Sequence, residues 1–197
     1  MCLDLEGVLV PEIWIAFSQA VNIPELRRTT RDEPDYDKLM SFRIDLLKKN
    51  NLKLMDIQKV ISGIDPLPGA VEFTNSLRRK TQLIILSDTF EQFAKPLMEK
   101  LSWPSIFCNS LELSGDGTVT GYRLRQKNGK YEAVKALKSM NLTVFAAGDS
   151  FNDLMMIREA DYGCLFLAPD NIKKECPDIE CLDTYEELMA KIDNFLC

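Results

Sequence analysis

Short apolar runs alternate along this chain with longer stretches in which hydrophobic residues recur every three or four positions. Residues 1–3, 83–86, 144–147 and 164–167 are almost wholly apolar, and the last three runs are bounded by polar or turn residues. Runs of this length predict strands buried on both faces, as in a parallel sheet. Between and after them come helical periods: Phe90, Phe93, Leu97 and Leu101, then Val134 and Leu137, then Leu154 and Ile157, then Leu188 and Ile192. Strands alternating with helices predict an α/β fold whose Rossmann-like parallel sheet carries helices on both faces.

Residues 12–65 break the alternation. Trp14, Phe17 and Val21 share one helical face, Leu39, Met40, Leu46 and Leu47 a second, and Leu54, Ile57 and Ile61 a third. Three helices are too much for a simple crossover. The pattern predicts a small helical cap inserted after the first strand, with residues 1–11 and 66–197 forming the catalytic core. Pro66, Pro68 and Gly69 mark the return to that core. Farther on, residues 111–113 and 119–124 flank the turn-rich segment 114–118 and predict a hairpin. Only three residues precede Asp4, so the first strand is shorter than the usual length of about 5.

Composition narrows the chemistry. Histidine is absent from all 197 residues. That excludes Ser-His, Cys-His and zinc-histidine mechanisms, and leaves carboxylates, lysine, arginine, hydroxyls and hard metals. The net charge of −6, with no dense basic tract, argues against a nucleic-acid partner. No apolar run reaches the roughly 18 residues that span a bilayer, so no membrane partner is expected. The six cysteines lack a CxxC pair or a regular spacing. Reduced thiols in a cytoplasmic protein without a signal peptide are the expectation.

Four segments carry candidate chemistry, and three of them end a predicted strand. Asp4 and Glu6 follow the first strand, with Gly7 permitting a sharp turn; two carboxylates there suit a hard cation or acid–base work, or form an ordinary acidic turn. Ser87 and Asp88 follow the second run and lead into a helix, where they either meet a phosphate or cap the helix. Lys130 stands at the start of a helical period, where a cation is disfavoured unless an anion lies near. Gly148, Asp149 and Asp153 close the run at 144–147, and a cap accounts for one of these aspartates but not for the whole segment. Arg43 interrupts the apolar stripe of Leu39, Met40, Leu46 and Leu47. Such an arginine needs a partner: a substrate carboxylate, a nearby acid such as Asp37, or a snorkelling path to water.

The order of these segments resembles the haloacid dehalogenase superfamily: DxDx[TV], a Ser/Thr, a Lys, then GDxxxD. Glu6 stands where the broad superfamily has aspartate. Residues 4–12, 87–89 and 148–153 are similar to those of bacterial phosphoserine phosphatases that also transfer phosphate to homoserine, a subgroup with glutamate at that place. The resemblance implies a phosphatase or phosphotransferase acting through an aspartyl-phosphate on Asp4, with Glu6 as acid and base. It implies Mg²⁺ held by Asp4, Asp149 and the Glu6 carbonyl, phosphate binding by Ser87 and Lys130, and an Asp153 that orients Lys130 or a water on the metal. Arg43 falls at the family's substrate-carboxylate position and Glu12 at its ammonium position, with Asp88 and Asn152 nearby. Phosphoserine is then the expected small-molecule substrate and homoserine a possible acceptor. A sugar-phosphate or nucleotide phosphatase, and a phosphate-binding protein without catalysis, are the rival readings.

Overall fold

The structure, a computed structural model, describes residues 1–30, 32, 33 and 35–197. Its described strands form one sheet in the order β4-β3-β2-β1-β5-β6-β7. The strands are β1 (Cys2–Leu3), β2 (Ile84–Phe90), β3 (Ser105–Leu113), β4 (Val119–Arg123), β5 (Phe145–Gly148), β6 (Tyr162–Phe166) and β7 (Cys181–Leu182). All neighbouring pairs run parallel except β3 and β4. The four expected strands are β1, β2, β5 and β6, and the α/β class stands as read from the pattern.

Alternation along these strands divides the core in two. Leu3, Ile85, Phe145, Ala147, Cys164 and Phe166 point into one hydrophobic cluster. Their neighbours Cys2, Leu86, Ala146 and Leu165 point into the other. Successive strand side chains face opposite ways, so a strand buried on both sides must be apolar throughout. The first cluster is completed by α4 (Ala70–Arg78), α5 (Glu91–Lys100) and α9 (Tyr185–Leu196). The second is completed by α6 (Gly129–Ser139), α7 (Leu154–Glu159) and α8 (Asp170–Glu175). Burying a single leucine or phenylalanine contributes about 1.5–3 kcal/mol, and both faces carry many.

Between β1 and α4 the described chain is helical, with α1 (Ile13–Val21), a 3₁₀ turn (Pro24–Arg27), α2 (Tyr36–Lys49) and α3 (Leu54–Ser62). The buried faces match the three stripes: Trp14 and Phe17 on α1, Leu39, Met40 and Leu47 on α2, and Ile57 and Ile61 on α3. Asp35 caps α2 by accepting from the Lys38 N–H at 3.1 Å. The segment joins the first cluster and also grips the hairpin of β3 and β4. The Leu54 N–H donates to the Gly117 carbonyl at 3.0 Å, and Lys53 pairs with Asp116 at 2.9 Å.

Several elements differ from the pattern-based reading. The hairpin is no separate feature, because β3 begins six residues earlier than its predicted strand and pairs with β2, so the hairpin extends the sheet. Its alternating exposure weakened the signal of the first half of β3. Helix α4 was not foreseen, because Phe73 and Leu77 sit among Glu72, Arg78 and Arg79 in only nine residues. The short β7 and α8 likewise fall below the length at which periodicity speaks.

One close approach sets the fit of α7 on β6. A Cβ added to Gly163 would lie 2.1 Å from the Ile157 carbonyl oxygen. Gly163→Ala is expected to destabilise the protein by about 1–3 kcal/mol, the usual cost of overpacking. The check is a lower urea midpoint at unchanged m-value; an unchanged midpoint would mean that α7 shifts freely.

Candidate active site

The carboxyl ends of β1, β2 and β5 meet at the centre of the sheet, where the strand order reverses on either side of β1. Ligands of open α/β sheets bind at such a place. Asp4 follows β1, and its N–H donates to the Ala147 carbonyl at 3.0 Å, so β5 fixes it. Its Oδ1 accepts from the Leu5 N–H at 2.7 Å. The chain then turns tightly, with Leu9 and Val10 N–H groups both donating to the Leu5 carbonyl. Gly7 has φ +78°, and a Cβ there would lie 2.4 Å from Asp149 Oδ2. Only glycine meets both conditions, the left-handed backbone and the contact with Asp149.

At the end of β2, the Thr89 N–H donates to Ser87 Oγ at 3.2 Å. Helix α5 opens at Glu91 with Phe90 at its N-cap and no side-chain cap. The capping alternative for Ser87 and Asp88 therefore does not hold. After β5, Asp153 Oδ2 accepts from the N–H groups of Asp149 (3.1 Å) and Ser150 (3.0 Å), which folds the segment back on itself.

Lys130 ties these ends together. Its Nζ lies 2.7 Å from Asp153 Oδ1 and 2.9 Å from Asp4 Oδ2, with Asp88 Oδ2 at 3.9 Å. Lys130, Asp4, Asp149 and Asp153 are all buried. Burial alone would lower the Lys130 pKa, but the carboxylates of Asp153, Asp4 and Asp88 outweigh it and hold the ammonium well above its ordinary range. The shortage of positive charge falls on Asp4, which burial first, then Asp153 and Asp149, push well above the ordinary carboxylate range against the pull of Lys130.

The same shortage marks a candidate metal centre. Asp4, Asp149 and Asp153 each offer an oxygen within 4.8 Å of the others. Both Asp153 oxygens already accept hydrogen bonds, from Lys130 on one side and the Asp149 and Ser150 backbone on the other. Both Asp4 oxygens are engaged as well, by the Leu5 N–H and by Lys130, so hydrogen bonding does not rank the three as ligands. All-oxygen donors with excess negative charge suit a hard divalent cation.

Above these acids lies a cavity of about 100 Å³. Asp4, Glu6, Glu12, Arg43, Ser87, Asp88, Lys130, Asp149 and Asn152 all line it. Asp153, the remaining residue singled out in the sequence, is fully buried behind them. Glu6 Oε2 accepts from the Ile13 N–H at 2.8 Å. The Glu6 carboxyl is pushed up to about 7, by burial first and then by Glu12. Asn152 Nδ2 donates to Asp88 Oδ2 at 2.8 Å.

Arg43 enters from the helical side. Its Nη2 donates to the Arg28 carbonyl at 2.7 Å, and its guanidinium stacks over Trp14 at 4.4 Å. Its Nε is buried with no hydrogen-bond partner among the described residues. Burial lowers the Arg43 pKa to about 10, opposed by Tyr36, Glu6 and Glu12. Asp37 is not its partner; that carboxylate accepts from Tyr122 instead. Trp14 and Tyr36 also line the cavity. Trp14 had been read as core alone, and Tyr36 was missed. The signal was available: Tyr36, Leu39 and Arg43 fall at i, i+3 and i+7 on one helix face. A larger groove of about 820 Å³, between α4 and α9, shares no lining residue with this site.

A parallel sheet with acids gathered at its central strand ends, around a lysine, is the frame of a phosphoryl-transfer enzyme. A family model for haloacid dehalogenase-like hydrolases matches residues 2–161, and the chain belongs to that family. Phosphoserine phosphatase ThrH of Pseudomonas aeruginosa is 52% identical over 187 residues, spanning 95% of this chain and 91% of that protein. A phosphoserine phosphatase of Pseudomonas syringae pv. tomato is also 52% identical, over 95% and 79% of the two chains. Among solved structures, a phospho-aspartyl intermediate analogue of phosphoserine phosphatase aligns with a TM-score of 0.79 and 25% identity, over 96% of each chain. A substrate-bound phosphoserine phosphatase complex aligns with the same values.

Removing the central cation tests the charge balance. Lys130→Met is expected to destabilise the metal-free protein by about 3–5 kcal/mol, the usual result of leaving buried charge unpaired. Urea unfolding in EDTA at neutral pH measures it. Stability equal to the parent would show that the three acids need no ammonium.

Proposed function

We propose that this enzyme hydrolyses L-phosphoserine to L-serine and phosphate through an aspartyl-phosphate on Asp4, and also transfers the phosphoryl group to homoserine. The observation that carries the substrate is the Arg43 Nε, a buried donor with no hydrogen-bond partner among the described residues, on a side chain that lines the cavity above Asp4. Leaving such a donor unsatisfied costs about 1–3 kcal/mol. A substrate carboxylate satisfies it and matches the planar guanidinium. Glu12, in the same cavity, suits the substrate ammonium. The names of the two Pseudomonas relatives support the same reading. Homoserine carries the same two groups with one more methylene, so Arg43 and Glu12 serve both acceptor and donor.

In the first step an Asp4 carboxylate oxygen attacks phosphorus and the bond from phosphorus to the serine oxygen breaks. Glu6, which burial keeps partly protonated near neutrality, gives that oxygen its proton. In the second step Glu6 takes a proton from water, or from the homoserine hydroxyl. The resulting oxygen attacks phosphorus and releases Asp4. Ser87 and Lys130 hold the phosphate oxygens and spread the charge of the transition state. Asp153 and the Asp88–Asn152 pair keep Lys130 and the phosphate-binding turn in place.

Asp4, Asp149 and the Glu6 carbonyl would hold Mg²⁺, which would offset repulsion between the carboxylate nucleophile and the phosphate. The division into a core of residues 1–11 and 66–197 and a cap of residues 12–65 belongs to this reading. So does a cytoplasmic location. It is supported by cysteines that are all free, and by the lack of any helix long and apolar enough to cross a membrane among the described residues.

The test is phosphate release from L-phosphoserine with Mg²⁺, with and without homoserine, following phosphohomoserine by ³¹P NMR. Release that gives way to phosphohomoserine is expected, and Asp4→Asn should abolish both while leaving the circular dichroism unchanged. No turnover of phosphoserine by the parent enzyme would overturn the substrate; turnover by Asp4→Asn would overturn the nucleophile. Arg43→Ala should lower kcat/KM for phosphoserine by about 10- to 100-fold, the worth of a charged hydrogen bond, and hardly change that for p-nitrophenyl phosphate. Equal losses on the two substrates would remove its role in reading the carboxylate.

A further inference from the structure

A second cavity, of about 510 Å³, adjoins the first. The two share five lining residues: Thr30, Tyr36, Asp88, Lys130 and Asn152. Three of these form a hydrogen-bonded row. Tyr36 Oη donates to the Asp88 carbonyl at 3.2 Å, and Asn152 Nδ2 donates to the Asp88 carboxylate at 2.8 Å. Asp88 is held from the core by Asn152, by Asn109, which donates to its carbonyl at 3.0 Å, and by Lys130. Among the described residues, Tyr36 is its partner from the helical segment. The outer cavity has a mouth of exposed apolar residues, Leu124, Phe151 and Met155. The inner one, at about 100 Å³, is smaller than the roughly 300 Å³ at which ligand pockets usually begin. A molecule that reaches Asp4 from the outer cavity passes the Tyr36–Asp88–Asn152 row.

We propose that Tyr36 is a positioning residue, whose hydroxyl latches α2 onto the phosphate-binding turn and closes the partition between the two cavities. Tyr36, Leu39 and Arg43 share one face of α2, so the latch also sets how closely Arg43 stands over Asp4. With the latch released, the outer and inner cavities join, solvent reaches the walls of the inner one, and Arg43 moves away from the reacting phosphate. The hairpin contacts of Lys53 and Leu54 are untouched by this change and keep the far side of the segment attached. Tyr36 also packs edge-on against Tyr122, at 5.6 Å between ring centres. Tyr36→Phe keeps that contact and removes only the hydroxyl.

Trp14 provides a readout that needs no substrate. It lines the inner cavity and is only 7% exposed, and the other tryptophan, Trp103, lies outside both cavities at 57% exposure. In a Trp103→Phe background, Tyr36→Phe should raise acrylamide quenching of Trp14. One net hydrogen bond corresponds to a shift of about 2- to 10-fold in the closed-to-open ratio. Unchanged quenching would overturn the latch. The kinetic arm rests on the phosphoserine reading. There Tyr36→Phe should lower kcat/KM for phosphoserine by about the same factor, and lower that for p-nitrophenyl phosphate, which has no carboxylate for Arg43, by clearly less. Equal losses on both substrates would make Tyr36 a general structural support and overturn the proposal. If the enzyme proves to act on a different phosphate ester, the quenching result still decides the latch by itself.

Discussion

Lys130 places one buried ammonium between the carboxylates of Asp4 and Asp153, and the geometry of the site depends on that arrangement. An unpaired charge at this depth is untenable, so each partner has to arrive in register. β1 and β5 deliver Asp4 and Asp149 side by side, joined by the bond from the Asp4 N–H to the Ala147 carbonyl. Asp153 uses one oxygen to hold Lys130 and the other to fold its own segment back. Gly7 is required by the same crowding, since any side chain there would meet Asp149. The cluster still carries more negative than positive charge. That imbalance leaves room for a divalent cation and makes Asp4 a group whose charge can be shared with an electrophile.

Much of this was legible in the residues. Continuous apolar runs marked β2, β5 and β6, because strands covered on both faces admit no polar alternation. Acids just after the runs marked the ends of β1 and β5, whereas Ser87 and Asp88 lie within β2, which continues past a register shift to Phe90. The absence of histidine cleared away the most familiar hydrolytic mechanisms. Less legible were elements whose identity comes from their partners. Half-exposed β3 reads as a strand only once β2 is beside it, and α4 has too few apolar positions to announce itself. Helix capping by Ser87 or Asp88 was a reasonable local alternative that only the position of Phe90 removes. Tyr36 illustrates another limit: a half-buried tyrosine at a helix start says little until the opposite wall of the cavity is known.

The helical segment and the sheet contribute different things to the site. The ends of β1 and β5 supply Asp4 and Asp149, and the turn after β5 and helix α6 add Asp153 and Lys130. The helices supply Arg43, Glu12 and Trp14, groups suited to recognising the rest of a small molecule. The proposed reaction draws on both, with chemistry at the strand ends and selection from above. Glu6 stands between them, on the turn after β1 but bonded to the first residue of α1.

The residues gathered around Lys130 come from distant parts of the chain. Asp4 and Asp149 sit on neighbouring strands although about 145 positions separate them, and β1 has no sheet partner until β2 and β5 are in place. Long-range parallel pairing is slow to form, because the loop entropy is lost before the contacts return it. Asp4 is made well before Lys130, Asp149 and Asp153, so the cluster can assemble only once the segments that carry them have followed. Assembly of the acid cluster is thus tied to the pairing of β1 with β5, the step that brings its most distant members together.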